Sequence, residues 1–288
     1  MKEITIGDCR LFNGDCFDVL SKLELQADAI ISDPPYGCTN CKWDKMPPLE
    51  TMWELMEART KARANFILFA CGKFSIDLVN SKYGWYRYDW IWAKNNRVGF
   101  LNASKMPMRS HEQILVFGRP GHRAASTYNP QRMPGGRVGA KRTIRRTADG
   151  VYGYTNTCST TSDGWMNPCS VLNFDSDRGN NQQGQSLHPT QKPVSLLEWL
   201  VLTYTNPGDL VIDPFLGSGT TALACARTGR RFLGIEREEK YFDLAIKRLQ
   251  APRTASLIED EPPYLFQSRP TDHCKTDESQ VHASNRRI

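Results

Sequence analysis

One short segment, Asp33-Pro34-Pro35-Tyr36, places a carboxylate, two prolines and an aromatic ring directly after a short apolar run. Proline has a fixed φ and no N–H group, so two in succession stiffen the backbone and leave its carbonyls free to accept hydrogen bonds from a ligand. An acceptor-rich edge beside a flat ring suits a planar group that carries an NH2. The segment therefore predicts a pocket in which Asp33 holds an amine and Tyr36 stacks on its ring.

Residues 260–264 contain a similar combination, Asp-Glu-Pro-Pro-Tyr. No apolar strand precedes them and one residue is inserted, so we interpret them as part of a polar tail over residues 251–288. The motif at 33–36 therefore predicts a ligand pocket only because a buried strand precedes it.

A second group of residues with a ligand-binding pattern lies at 210–221, where a strand leads through a glycine-rich turn into a helix. Glu236 stands 17 residues after Gly219, at the end of the next strand, where an acidic side chain accepts hydrogen bonds from a ribose. Ala222 replaces the third glycine of the dinucleotide fingerprint, and Asp213 would repel a pyrophosphate and attract a cation. We therefore predict an adenosine ligand with a positively charged group, for which S-adenosylmethionine is the obvious candidate. The alternative for Glu236 is an ordinary surface carboxylate.

Both motifs need a sheet to position them, and the hydrophobic pattern predicts one. In the first part of the chain the predicted elements are a hairpin over 4–12, helices over 16–23 and 51–64, and strands over 28–32, 66–70, 90–93 and 114–117. In the last part they are helices over 193–204, 220–228 and 239–249 and strands over 210–213 and 231–236, with a further strand over 171–174. This alternation predicts an α/β, Rossmann-like fold with a doubly wound, mostly parallel sheet. We predict one domain, with a catalytic half at 1–118, an insertion at 119–186, a cofactor-binding half at 187–250 and the tail.

The insertion begins with a strongly basic stretch. Between Arg119 and Arg146 there are eight Lys or Arg residues and no Asp or Glu, a surplus larger than the net charge of +6 of the whole chain. Arg, Asn and Gln are the side chains that read purine edges, so we predict contact with nucleic acid, although a solvated basic loop would have the same composition. The residues predicted to contact DNA are Arg123, Arg132, Arg137, Lys141, Arg142, Arg145 and Arg146.

Several classes of protein are excluded. Nine cysteines without a framework, no signal-like N-terminal segment and no apolar run near 18 residues predict a reduced, cytoplasmic protein without a membrane span. Cys38 and Cys41 form a single C-x-x-C pair, and zinc requires about four ligands, so we predict no metal.

With both motifs in view, the chain resembles the DNA amino-methyltransferases that modify adenine N6 or cytosine N4. The resemblance covers roughly residues 4–249 and is carried by 33–36, by the His-Pro-Thr-Gln-Lys-Pro segment at 188–193, and by 213–221 with Glu236. The catalytic tetrapeptide precedes the cofactor glycines with the basic segment between them, which is the order of the family's β group.

The resemblance implies methylation of a flipped base in duplex DNA, with S-adenosyl-L-methionine as the methyl donor and residues 119–186 as the target-recognition region. Its catalytic residues are Asp33, Pro34, Pro35 and Tyr36. An aspartate at the head of the tetrapeptide favours adenine over cytosine, by resemblance alone, because both amines need two acceptors. The cofactor-binding residues it implies are Asp15, Thr190, Lys192, Asp213, Phe215, Gly217, Ser218, Gly219, Thr220 and Glu236.

Simpler roles remain open for several residues. Asp15 follows an Asn-Gly pair that also suits a hairpin turn, in which case Asp15 would only cap a helix. The simpler role for Lys192 is that of a plain surface lysine. The segment 109–112, Arg-Ser-His-Glu, is either one wall of the base pocket or a capped strand start, and we leave it outside the predicted site. A non-catalytic DNA-binding protein on the same fold is the rival from another class. An RNA or protein amide substrate is disfavoured by the basic insertion, and a homodimer and a partner endonuclease are left open.

Overall fold

The computed structural model describes residues 2–38, 44–122, 126–135, 137–144, 158–175 and 191–251. The strands of this part of the chain are β1 Lys2–Ile6, β2 Cys9–Asn13, β3 Ala27–Ser32, β4 Thr60–Ala70, β5 Tyr86–Val98, β6 Arg109–Gly118, β7 Met133–Pro134, β8 Lys141–Ile144, β9 Cys158–Thr161, β10 Trp165–Met166, β11 Val171–Asn173, β12 Leu210–Asp213 and β13 Arg231–Glu236. The helices are α1 Cys16–Lys22, α2 Leu49–Ala58, α3 Lys73–Ser81, α4 Val194–Tyr204, α5 Thr220–Thr228 and α6 Glu239–Gln250. None of these helices combines the length and apolar character that a membrane crossing requires.

The central sheet has nine strands in the order β1-β2-β13-β12-β3-β4-β6-β5-β11. The strands from β2 to β4 are parallel to one another, which confirms the predicted doubly wound arrangement. The order reverses between β12 and β3, and the carboxyl ends of these two neighbours deliver Asp213 and Asp33 to one edge of the sheet. Ligands of such sheets bind outside this edge, at the point where the strand order reverses.

Strand β6 is antiparallel to both of its neighbours, β4 and β5. The alternation of strands and helices predicts a parallel sheet in this region, and that expectation is wrong. The ten residues between Val98 and Arg109 are too few for a crossover helix, which a parallel pair needs, and they close a hairpin instead. Strand β11 then pairs parallel to β5, so the predicted strand over 171–174 is confirmed and joins the central sheet.

The predicted helix over 51–64 is too long. Helix α2 ends at Ala58, and β4 begins at Thr60. The hydroxyl group of Thr60 donates to the carbonyl of Met56 at 2.8 Å, and the amide of Ala27 donates to the carbonyl of Arg59 at 2.9 Å. Pairing with β3 therefore outweighs the helical propensity of residues 60–64. The short helix α3 was not predicted from the sequence.

The core consists of buried side chains on both faces of the sheet. Ile30 and Ile31 of β3 are fully buried, each on a different face. A strand that is covered on both sides is stiff, so it fixes the position of the segment that follows it at residue 33.

Candidate active site

A cavity of about 350 Å³ opens at the carboxyl edge of the sheet, and both sequence motifs line it. All four residues of the tetrapeptide at 33–36 contribute to its wall, and the turn after β12 forms the other side. The hydroxyl group of Ser32 donates to Asp213 Oδ1 at 2.5 Å, which joins the ends of the two strands directly. The amine-binding edge and the predicted cofactor site are therefore parts of one cavity.

The carboxylate of Asp33 receives hydrogen bonds on both oxygens. The hydroxyl group of Tyr36 donates to Oδ1 at 2.5 Å, and the ammonium group of Lys192 donates to Oδ2. The same ammonium group lies 3.4 Å from Glu112 Oε2, and Lys94 pairs with the other oxygen of Glu112. We call these four charged residues, Lys94, Glu112, Lys192 and Asp33, the charge quartet. Its formal charges cancel.

The charge quartet is largely removed from water, with side-chain exposures of 9% for Lys192 and 12% for Glu112. Burial by itself would lower the pKa of Lys192, but the two facing carboxylates outweigh burial and raise it, so the ammonium group stays protonated. For Glu112, burial works to raise the pKa, and Lys192 and Lys94 together lower it below its usual range. Burial raises the pKa of Asp33 while Lys192 opposes the increase. The Lys192 ammonium group therefore stays a cation between the carboxyl groups of Asp33 and Glu112.

The ring of Tyr36 is held on one face by Phe74, with centroids 5.2 Å apart and planes inclined by 27°. Burial and the neighbouring Asp33 carboxylate raise the pKa of Tyr36 well above its ordinary value, so its hydroxyl group remains a donor. The ring is therefore a rigid wall of the cavity, fixed by a stacking contact and a hydrogen bond.

Asp213 organises the turn after β12. Its side chain is 2% exposed, and its Oδ1 accepts from the amide of Phe215 at 3.1 Å while Oδ2 accepts from the hydroxyl group of Thr221 at 2.8 Å. Burial raises the pKa of Asp213 to about 6, against the effect of these donors. The buried carboxylate thus sets the conformation of the turn and contributes negative charge to the cavity wall.

Glu236 ends β13, which is separated from β3 by β12 in the sheet, and it lines the same cavity as Asp33. One carboxylate oxygen accepts from the amide of Gly217 at 2.8 Å and the other from the amide of Glu238 at 2.8 Å. Burial raises the pKa of Glu236 to about 7. This carboxylate is partly buried in the cavity wall and held by two backbone amides, and its contact with a ribose stays a prediction.

The two glycines of the turn play different roles. Gly217 has φ +55° and lines the cavity, where its amide holds Glu236. Gly219 has φ +80°, and a Cβ atom on it would lie 2.7 Å from the Cβ atom of Ala245 in α6. Gly219 is not among the residues that line the cavity, and it allows α5 to approach α6 closely; its predicted contact with a cofactor stays a prediction.

Asp15 caps a helix and also lines the cavity, and its contact with a cofactor stays a prediction. Its Oδ1 accepts from the amide of Phe17 at 2.9 Å and so caps α1, and the residue also lines the cavity. The preceding Asn13 and Gly14 do not form a hairpin turn, because both donate to the carbonyl of Glu236, at 2.9 and 3.0 Å. They tie β2 to the end of β13 and so place Asp15 beside Glu236.

Of the ten predicted cofactor-binding residues, Thr190 lies outside the described residues. Lys192 is buried against Asp33, so its alternative role as a surface lysine is wrong. Its contact with a cofactor carboxylate stays a prediction. The residues of this set that line the cavity are Asp15, Lys192, Asp213, Phe215, Gly217, Ser218, Thr220 and Glu236.

The described part of the basic stretch contains both structural and exposed cations. Arg119 donates to the carbonyls of Lys61 and Glu57, the first at 2.5 Å and the second at 2.6 Å, and fastens α2 to β4. Arg132 makes a bidentate pair with Asp163 at 2.7 and 2.8 Å, and Asp163 has its pKa lowered to about 2 by that pair. Arg137 and Lys141 are exposed. The side chains of Arg123, Arg142, Arg145 and Arg146 lie outside the described residues.

Sequence reasoning missed two members of the charge quartet. Glu112 stands just before the buried run of β6, which was a signal for an inward-facing carboxylate, but its partner Lys192 is 80 residues later in the chain. Lys94 sits where the β5–β6 register shifts between Ala93 and Val98. Gln191 was also overlooked: its Oε1 is buried without a hydrogen-bond partner in the described structure and offers a free acceptor beside the cavity. No cluster of three metal-ligating side chains occurs among the residues described.

The sequence of the chain is similar to those of known DNA methylases. The family model for DNA methylases matches residues 27–247. The chain is 28% identical over 267 residues to the type II methyltransferase M2.DpnII of Streptococcus pneumoniae, covering 84% of this chain and 89% of that protein. It is 47% identical over 74 residues to the type II methyltransferase M.HinfI of Haemophilus influenzae, covering 26% of this chain and 21% of that protein.

Solved structures have the same fold. The M1.HpyAVI–SAM complex superposes with a TM-score of 0.59 at 25% identity, covering 84% of this chain and 100% of that chain. The PvuII DNA methyltransferase, described as cytosine-N4-specific, superposes with a TM-score of 0.61 at 15% identity, covering 87% of this chain and 89% of that chain. At this lower identity the likeness shows the fold alone.

Proposed function

Because the chain belongs to the N6/N4 DNA methylase family, we propose that it transfers a methyl group from S-adenosyl-L-methionine to the N6 amine of adenine within a specific sequence of duplex DNA. The observation that carries this proposal is one cavity lined by both Asp33 and Glu236, which follow or end strands that are two apart in the sheet. Asp33 offers acceptors for an amine, and Glu236 offers a carboxylate for a ribose. A methyl donor and a base amine can therefore be held side by side.

The residues of the cavity fit a sulfonium cofactor. Its volume of about 350 Å³ lies within the range of small-molecule sites. Glu236 would accept from the ribose hydroxyl groups, and Asp213 leaves negative charge in the wall near a sulfonium. S-adenosyl-L-methionine, when bound, supplies an activated methyl group. The related chain M1.HpyAVI, which is 25% identical, was solved as a complex with SAM, and this supports the assignment.

Beside Asp33, the residues of the chain activate the amine. An exocyclic amine is a weak nucleophile because its lone pair is delocalised into the ring. If Asp33 and the carbonyl of Pro34 accept its two N–H bonds, the nitrogen becomes pyramidal and its lone pair is directed at the methyl group. The amine gives up one proton in the reaction, and Asp33 is the carboxylate placed to receive it.

The protein donors on Asp33 leave capacity for the amine. A carboxylate has about four lone-pair sites, and Tyr36 and Lys192 use one site on each oxygen. Lys192 fixes the plane of the carboxylate, and Glu112 holds Lys192 in turn. The proposal therefore gives Lys192 and Glu112 positioning roles, while Asp33 contacts the reacting group.

The base must leave the stack to enter the cavity, and its ring would lie beside Tyr36. Preference for adenine rests on the aspartate that opens the tetrapeptide. Cytosine N4 is the second candidate, because its amine asks for the same two acceptors. Phosphate contacts from Arg137, Lys141 and the other predicted basic residues would hold the duplex, with residues 119–186 as the recognition region.

Transfer of a radiolabelled methyl group to unmodified plasmid DNA, to RNA and to protein tests the substrate class. We expect label in duplex DNA alone, together with cofactor binding measured by titration calorimetry. A protein that binds DNA but neither binds the cofactor nor transfers label would instead be the non-catalytic DNA-binding protein. Label in RNA or protein but not in DNA would likewise refute the proposal.

A further inference from the structure

The hairpin loop between β5 and β6 exposes two large apolar side chains at its tip. Phe100 is 80% exposed and Leu101 is 93% exposed. The tip is nevertheless well folded: Gly99 adopts φ +94°, and the amides of Asn102 and Met106 donate to the carbonyls of Gly99 and Asn102, both at 3.0 Å. An ordered turn thus holds two apolar groups in water.

The loop is basic around this apolar tip. Between Lys94 and Arg109 there are four Lys or Arg residues and no Asp or Glu. The positive members nearest the tip are Arg97 and Lys105. A cationic loop with apolar side chains at its centre is complementary to a polyanion whose interior is apolar, which is the composition of a stacked duplex.

The loop rises from the wall of the amine site. Strand β5 runs parallel to β4, since both are antiparallel to β6, so the loop leaves the same edge of the sheet as Asp33. At its base, Lys94 pairs with Glu112, which contacts Lys192. On the returning strand, Arg109 donates to the sulfur of Cys71 at 2.8 Å, just after β4 ends. The tip lies roughly 13 Å or more beyond the Lys94–Glu112 pair, from about four residues of strand at 3.3 Å each.

We propose that Phe100 and Leu101 form a wedge that enters the DNA duplex beside the target base. Extrusion of a base leaves a gap in the stack and costs the energy of its pairing and stacking, which is lower for a base without a pairing partner. Apolar side chains that fill the gap replace part of the lost contact, while Arg97 and Lys105 contact phosphates. This inference rests on the proposed function, because it needs a base that leaves the stack.

The double variant F100A/L101A tests the wedge. Once the methylated site has been mapped on plasmid DNA, two short duplexes carrying it are compared: one fully paired, and one with an abasic site opposite the target base. We expect the variant to methylate the paired duplex at least tenfold more slowly than the wild type, and the second duplex at nearly the wild-type rate. With 2-aminopurine at the target position, the fluorescence rise that reports extrusion should shrink in the variant.

Ile76→Ala is the matched control, because Ile76 is also apolar and 62% exposed but lies on α3. It should leave both rates and the fluorescence unchanged. Equal rates for F100A/L101A and the wild type on the paired duplex would overturn the wedge, as would an equal loss on both duplexes, which would indicate a docking contact or a protein interface. Failure of the proposed function looks different, since the wild type would then methylate neither duplex.

Discussion

The ammonium group of Lys192 lies against the carboxylate of Asp33, which is 159 residues earlier in the chain. The contact joins the segment before α4 to the tetrapeptide after β3, and Glu112 lies on the other side of the same ammonium group. The carboxylate that would receive the amine is therefore positioned by a residue that lies just before α4, far away in the chain.

Lys192→Met removes the cation that pairs with Asp33, so the charge quartet keeps two carboxylates but only one ammonium group, that of Lys94 beside Glu112. We expect a loss of about 3–5 kcal/mol in the free energy of unfolding and a fall of roughly 10²–10³ in the methyl-transfer rate. Urea unfolding and single-turnover kinetics measure the two effects. Lys61→Met is the control, because Lys61 pairs with Asp28 while its own side chain is 51% exposed, and its loss should stay below about 1 kcal/mol. Equal losses in the two variants would mean that the buried pair has no special role.

Glu112→Gln keeps the size of the side chain and removes one negative charge beside Asp33. Because the charge of Glu112 raises the pKa of Asp33, the variant should lower that pKa and move the acid limb of the rate–pH profile to lower pH. The plateau rate should fall by about tenfold, since a less basic carboxylate accepts a proton less readily. A purely structural role for Glu112 would lower the rate without moving the limb.

Glu236 should make cofactor binding depend on pH. Its pKa of about 7 means that the carboxylate becomes protonated as the pH falls below neutrality, and the protonated form accepts hydrogen bonds from a ribose poorly. We expect the cofactor Kd to rise between pH 8 and pH 6, by up to about tenfold per unit below the pKa. Titration calorimetry across this window tests the effect.

The raised pKa of Glu236 has the opposite effect on folding stability, which this group increases as the pH falls. Between the ordinary value of 4.5 and about 7, the folded protein binds the proton that the unfolded chain does not, so Glu236 favours folding as the pH falls. Weaker binding at pH 6 therefore cannot come from unfolding caused by this group. Glu236→Gln should bind the cofactor weakly and show a flat profile; an unchanged pH dependence in this variant would assign the effect to another group.

Gly219→Ala should destabilise the protein by about 3 kcal/mol, because it combines a left-handed φ with a contact of 2.7 Å to Ala245. Gly229→Ala is the matched control: it has φ +71° but nothing within 4 Å of the added Cβ, so its loss should be about 1 kcal/mol. Thermal unfolding of the two variants checks the difference. Similar losses would show that α5 and α6 adjust to the added methyl group.

The elements from β12 to β13 were predictable from the sequence almost residue by residue. The strands at 210–213 and 231–236 and the helix at 220–228 have the predicted bounds, because short apolar runs there are bounded by glycine and charged residues. The helix predicted over 51–64 does not have its predicted bounds, because pairing between β3 and β4 overrides local helical propensity. The tetrapeptide was found because its chemistry lies in consecutive residues.

The charge quartet was beyond sequence reasoning. Lys94, Glu112 and Lys192 are far apart in the chain, and no local pattern links them to one another. They meet because β6 runs antiparallel between β4 and β5 and brings Glu112 to the edge where Asp33 lies. Hydrophobic periodicity does not show whether a strand is parallel or antiparallel to its neighbours. The contacts of Lys192 and Glu112 near Asp33 are therefore visible only in the structure.

Nucleoside mass spectrometry of DNA treated with the wild type and with Asp33→Ala tests the central claim most directly. We expect N6-methyladenine from the wild type, and a variant that binds the cofactor as well as the wild type but forms orders of magnitude less product. An active Asp33→Ala variant would contradict the role of the carboxylate. N4-methylcytosine without N6-methyladenine from the wild type would contradict the choice of adenine.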